Sequence, residues 1–151
     1  MIEWYSDDDV KIEFDIVPDV TIRYTTPCST KEETKQINKK PFINKKNLNV
    51  RLTDKAEGIV YEFEVPEDYT WDGASIPRIF WRLIGAKTDP RFLIPSMIHD
   101  VLCENHDYVD NDRYFATIIF ERLLYVSKVN PFARWTIKHS VDNFQKFCRW
   151  N

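Results

Sequence analysis

The chain has 151 residues, 43% hydrophobic and 15% aromatic, enough to bury a core within the usual size of one domain. Its charge of −3 comes from 24 acidic and 21 basic side chains, which gives no global reason to expect nucleic acid or an anionic membrane as partner, so any nucleic-acid contact must be local. Cys28, Cys103 and Cys148 are far apart with no Cys-x-x-Cys pair, which argues against a disulfide framework and predicts free thiols in a reducing compartment.

The chain opens with acid, Asp7-Asp8-Asp9, where a signal peptide needs a basic end, and no apolar run is long enough to span a bilayer; export by that route and a membrane partner are not expected. Val20 to Tyr24, Leu48 to Leu52 and Ile59 to Val65 are short, β-branched or aromatic, and interleaved with polar residues, as strands require. Glu57-Gly58 supplies a turn before the third, and Pro66 closes it by removing a ladder donor. Between the first two strands, residues 30–47 carry Lys31, Lys35, Lys39, Lys40, Lys45 and Lys46 against Glu32 and Glu33. This segment reads as a basic loop or arm, by default a solvated insertion and otherwise a contact for phosphate or another subunit.

The period then changes. Arg78 to Ile84, Phe92 to Cys103, Asp112 to Val126 and Pro131 to Phe147 place apolar residues three and four apart, predicting helices. Pro77 suits a first helical turn, Gly85 a helix end and Asn130-Pro131 a start, while Pro95 falls early in its helix. The expectation is one α+β domain over 1–151: a small antiparallel β region over about 1–70, then about four helices over about 76–151.

Asp72-Gly73-Ala74-Ser75-Ile76-Pro77-Arg78 sets an acid, a glycine and a hydroxyl between the last strand and the first C-terminal helix, where loop groups can be aimed from rigid elements. The same residues suit a purely local role, with Ser75 as helix cap, Asp72 on turn amides and Gly73 at a positive φ. His99-Asp100 follows an apolar helical run, so at least one of the two faces the interior and needs a partner. Imidazole and carboxylate there serve as a metal-ligand or acid/base pair, or as a hydrogen-bonded structural pair. Asp112 either joins that pair or caps the helix it precedes. His99, Cys103 and His106 have i, i+4 and i+7 spacing, placing zinc-ligand types on one helical face if the helix runs that far. A Gly-rich phosphate loop, a nucleophile elbow and a His-Glu-x-x-His helix are all missing. His99 is the first histidine in the chain, so the upstream histidine of His-Asp phosphohydrolases is lacking.

From about Val60 to Phe147 the order of motifs resembles the phage and prophage family called domain of unknown function 1353. The motifs are Phe63-Glu64-Val65-Pro66-Glu67-Asp68-Tyr69, Asp72-Gly73-Ala74-Ser75-Ile76-Pro77-Arg78, His99-Asp100 and Asp112-Arg113-Tyr114-Phe115. Cys103 stands where the family tends toward an aromatic residue, and the basic insertion before Leu48 is a second departure. The resemblance implies phage origin and a shared cluster of Asp72, Ser75, His99, Asp100 and Asp112, without naming a reaction.

Two functions of different class follow. One is a virion-associated structural or assembly component of a tailed phage, at the tail or head-to-tail connection, found in the virion or host cytoplasm. Its partners are other virion proteins or further copies of itself, met through end-located aromatics such as Trp4, Tyr5 and Trp150. The other is a small metal-dependent hydrolase using Asp72, Ser75, His99, Asp100 and Asp112, with His99, Asp100 and Asp112 holding zinc or a similar divalent ion. A third reading, a host-directed binding module, uses the lysine arm on an acidic partner or nucleic acid.

Overall fold

The computed structural model describes residues 1–72, 90–136 and 138–139. Seven strands and the helices that follow them bear out the α+β expectation. In chain order the described elements are β1 (Ile2–Ser6), β2 (Val10–Phe14), β3 (Val20–Ile22), α1 (Lys31–Lys39), β4 (Phe42–Asn44), β5 (Leu48–Asp54), β6 (Ile59–Val65), β7 (Thr70–Trp71), α2 (Leu93–Glu104) and α3 (Arg113–Val126). Residues 131–136 are again helical. The helix expected over 78–84, Ser75, Cys148 and Trp150 lie outside the described residues.

An antiparallel sheet runs β1-β2-β5-β6, and a smaller one runs β3-β4-β7. In the larger sheet, alternation sends one side of each strand inward. Phe14 pairs with Val50, which pairs with Phe63, and Ile12 pairs with Leu52, which pairs with Tyr61, all of them buried. The neighbouring outward row is charged: Glu13, Arg51 and Glu62 stand in register, with Arg51 2.8 Å from Glu62 and 3.8 Å from Glu13. The apolar rows form one core with Met97, Ile98, Val101 and Leu102 of α2 and Phe115, Ile119 and Leu123 of α3. That burial sets the helices on one face of the sheet.

Local signals explain the ends. Asp54 Oδ1 accepts from the amides of Ala56 and Glu57, and Gly58 takes φ +67° to close the β5–β6 hairpin, the conformation a glycine adopts without strain. Pro95 sits in the first turn of α2, where a missing amide hydrogen costs no helical bond. Asp110 and Asn111 hold left-handed backbone, φ 52° and 61°, in the turn before α3.

Two expectations need correction. Residues 30–47 are no simple loop, since they contain α1 and β4. Thr30 Oγ1 accepts from the Glu33 amide at 3.1 Å, and Glu32 and Glu33 occupy the first turn, so a side-chain cap and the helix dipole stabilise a helix that buries none of its residues. Trp4 and Tyr5 are half-buried, not free: Trp4 packs on Phe14 with ring centroids 5.3 Å apart and Tyr5 on Tyr125 at 5.9 Å.

Asn44 ties the two sheets. Fully buried, it donates through Nδ2 to the carbonyls of Val65 and Pro66 at 3.2 and 3.0 Å, while its backbone bonds Tyr69 and Asp68. The chain leaving β6 is thereby turned back into β7, which delivers Tyr69 and Trp71 to α2.

Candidate functional site

The site is a polar seam between β7 and the inner side of α2. Trp71, buried between Phe42 and Tyr69 at centroid distances of 5.7 and 5.9 Å, donates its indole Nε1–H to Ser96 Oγ at 2.9 Å, and Ser96 Oγ in turn donates to the Leu93 carbonyl at 3.2 Å. A buried indole donor has to find such an acceptor. Asp100 lies one turn beyond Ser96 on the same helical face. At the far end of the seam Tyr69 Oη donates to Glu104 Oε2 at 3.1 Å. Burial, then the negative charges of Glu104 and Asp100, push the Tyr69 phenol far above its ordinary range.

His99 and Asp100 are 1% and 3% exposed. His99 Nδ1 stands 3.9 Å from Asp100 Oδ1, and the imidazole packs against the Phe120 ring at 4.6 Å. Cys103, one turn on, places Sγ 3.7 Å from both imidazole nitrogens, a contact at the edge of the ring with the thiol aimed at neither lone pair in preference. The imidazole thus touches a carboxylate on one side and a thiol on the other against the Phe120 ring, an arrangement able to order a proton.

Of the sequence-derived candidates, His99 and Asp100 meet in the interior, and Asp72 directly follows β7. Ser75 falls outside the described residues. Asp112 caps α3, accepting from the Phe115 amide at 2.9 Å. α2 ends at Glu104, and His106 begins a separate 3-10 turn, His106–Val109, so the helical face proposed for His99, Cys103 and His106 stops before its third member. Among the described residues, no group of three or more His, Cys, Asp or Glu side chains is arranged to hold a metal ion.

Tyr69, Trp71, Ser96 and Glu104 are site residues that sequence reasoning passed over. Their signal was present in the alternation Tyr69-x-Trp71 beside Asp72, and in the spacing Ser96, Asp100, Cys103 on one helix.

Geometry therefore defines a class: an α+β domain in which a polar seam joins β7 to the helix that carries a buried His-Asp pair. The chain belongs to the family described as "Protein of unknown function (DUF1353)", which matches residues 48–141 and so takes in the whole seam. It is also similar to an uncharacterized protein, y4jT, of Sinorhizobium fredii (strain NBRC 101917 / NGR234), with 29% identity over 86 residues, 52% of this chain and 24% of that protein. The chain thus spans about a quarter of the length of that curated relative. No solved structure matches it.

Proposed function

We propose that the chain is an assembly component of a tailed-phage particle, at the tail or head-to-tail connection, acting through its surfaces. The observation that carries this reading is the burial of Asp100 and of His99, which packs on Phe120, with Asp112 engaged in the α3 cap. Such positions suit side chains that hold elements together, because buried ionisable groups are tolerated when satisfied. Exposed Tyr114, Tyr125, Phe132 and Trp135 on α3 and the helical segment after it supply the large aromatic area that subunit contacts favour. The partners are other virion proteins or further copies of the chain. Mass spectrometry of particles purified from a strain encoding it should find the chain at fixed copy number. Its absence there, with normal particles from a deletion strain, would sink the proposal.

A second reading is a metal-dependent hydrolase using Asp72, Ser75, His99, Asp100 and Asp112. It is favoured by one observation, the buried contacts of His99 with Asp100 and with Cys103, since buried ionisable groups in contact concentrate at functional sites. Elemental analysis separates the two. A stoichiometric divalent metal, lost in a folded Asp100→Asn variant, supports the hydrolase, and an unchanged metal content in that variant counts against it.

A further inference from the structure

We propose that α1 and the chain at Arg23-Tyr24 form a binding trough for single-stranded nucleic acid. The inference is independent of the assembly reading and rests on another surface. Residues 23–46 hold seven cations against Glu32 and Glu33, a net of +5 within a chain of net −3, so the positive potential is concentrated on this arm. Lys31, Lys35 and Lys39 are four apart on α1, which puts them on one face at intervals of about 6 Å.

This face is concave. Two depressions of about 300 and 200 Å³ share Gln36 and Lys39; Lys35 lines the first, and Arg23 and Lys40 line the second. Glu32 borders only the first, and Thr70 adds a hydroxyl to the second. Among the described residues, Arg23, Lys35, Lys39 and Lys40 have no carboxylate within ion-pair distance. Arg23 donates to the Lys40 carbonyl at 3.3 Å, which holds the end of α1 beside β3. Tyr24, next to Arg23, is 77% exposed, more than any other large hydrophobic side chain described. Four cations without ion-pair partners among the described residues, along a groove and with an exposed aromatic residue next in sequence to Arg23, match what single strands need, backbone charge compensation plus a stacking surface. An exposed Tyr ring also suits a bilayer surface or a protein contact, and the vesicle and polyglutamate arms of the test separate these from a single strand. Apart from Thr70, the lining residues precede residue 48, where the family match begins.

Fluorescence anisotropy with a labelled oligothymidylate of about 20 nucleotides tests the proposal, alongside duplex DNA of equal length, phosphatidylserine vesicles and polyglutamate. Four phosphate contacts predict about fifty-fold weaker binding at 200 mM than at 50 mM salt. The Lys35→Ala/Lys39→Ala/Lys40→Ala variant should lose most of that affinity and most of the salt dependence. Its folding is checked by circular dichroism, and α1 buries no residue whose loss would unfold the domain. Tyr24→Ala should weaken single-strand binding about tenfold, and Tyr24→Phe should restore it. The proposal is overturned by no binding at 50 mM salt, by affinity unchanged in the triple variant or in Tyr24→Ala, or by tighter binding to duplex, vesicles or polyglutamate.

Discussion

Asp7 shows how a single carboxylate can anchor distant segments. Its Oδ1 accepts from the amides of Asp9 and Val10 at 2.7 and 2.8 Å, and its Oδ2 from Tyr5 Oη at 2.7 Å and Arg122 Nε at 2.6 Å. Desolvation opposes its ionisation, but these donors outweigh it and hold the carboxyl well below the usual range. A folded-state pKa lowered in this way adds stability that is fully present above about pH 4 and drains away as the pH falls below it. Tyr5 carries the opposite sign. Burial, then its bond to Asp7, pushes the phenol up to about 12 from 10.0, so it adds stability below pH 10 that is lost as the pH rises toward 12. Urea denaturation across pH should therefore show an acid limb flattened in Asp7→Asn and an alkaline limb flattened in Tyr5→Phe. Identical pH profiles for wild type and variants would refute the assignment. In the seam, Ser96→Ala leaves the Trp71 indole donor buried without its acceptor and should cost about 1–3 kcal/mol. Adding Trp71→Phe removes the orphaned donor, so a double-mutant cycle should return a coupling of about 1 kcal/mol; strict additivity would show the bond to be idle.

At the scale of elements, helices with similar caps should respond differently to losing them. Thr30 and Asp112 each accept from an amide three residues on, at 3.1 and 2.9 Å, a bond worth about 1 kcal/mol to its helix. α1 buries nothing, whereas α3 buries Phe115, Ile119, Phe120 and Leu123. Thr30→Ala should fray α1 alone, raising its amide exchange and leaving the global midpoint in place, while Asp112→Ala should lower global stability by about 1–2 kcal/mol. The elements legible in the sequence are those whose own residues bury a face: β5, β6, α2 and α3 carry their periodicity within themselves. β3 was legible at its start and shorter than expected, ending at Ile22. β4 and β7 span three and two residues, too few to show a period, and exist because a partner strand and Asn44 hold them. β1 and β2 were hidden by Asp7-Asp8-Asp9, which looked like a solvated start and forms the turn between them. α1 was masked by its lysines, although Thr30-x-x-Glu33 has capping-box spacing. In the candidate site, the His99-Asp100 pair was legible because two polar residues interrupt an apolar run. The role of Asp112 stayed open because a cap and a ligand ask for the same residue type.

For the whole molecule, the family match and the folded unit do not share a boundary. The match starts at residue 48, with β5, yet β5 pairs with β2 along its length on one side and with β6 on the other. β2 contributes Val10, Ile12 and Phe14 to the core, and the turn before it supplies Asp7 and Asp9 to Arg122 on α3. Arg122 also pairs with Glu121, which receives Arg134 at 3.0 Å, so one partly buried network runs from the first hairpin to the segment after α3. A chain begun near residue 45 would lose four core side chains, Val10, Ile12, Phe14 and Phe42, worth about 1.5–3 kcal/mol each, and would bare the β5 edge to other chains. Measured against a typical stability of about 5–15 kcal/mol, that loss should abolish cooperative folding. The truncated chain should be insoluble, or show no thermal transition by circular dichroism. A soluble, cooperatively melting fragment would mean that the family's matched segment folds alone and that the N-terminal strands are an accessory layer, placing the Asp7–Arg122 contact outside the folding core.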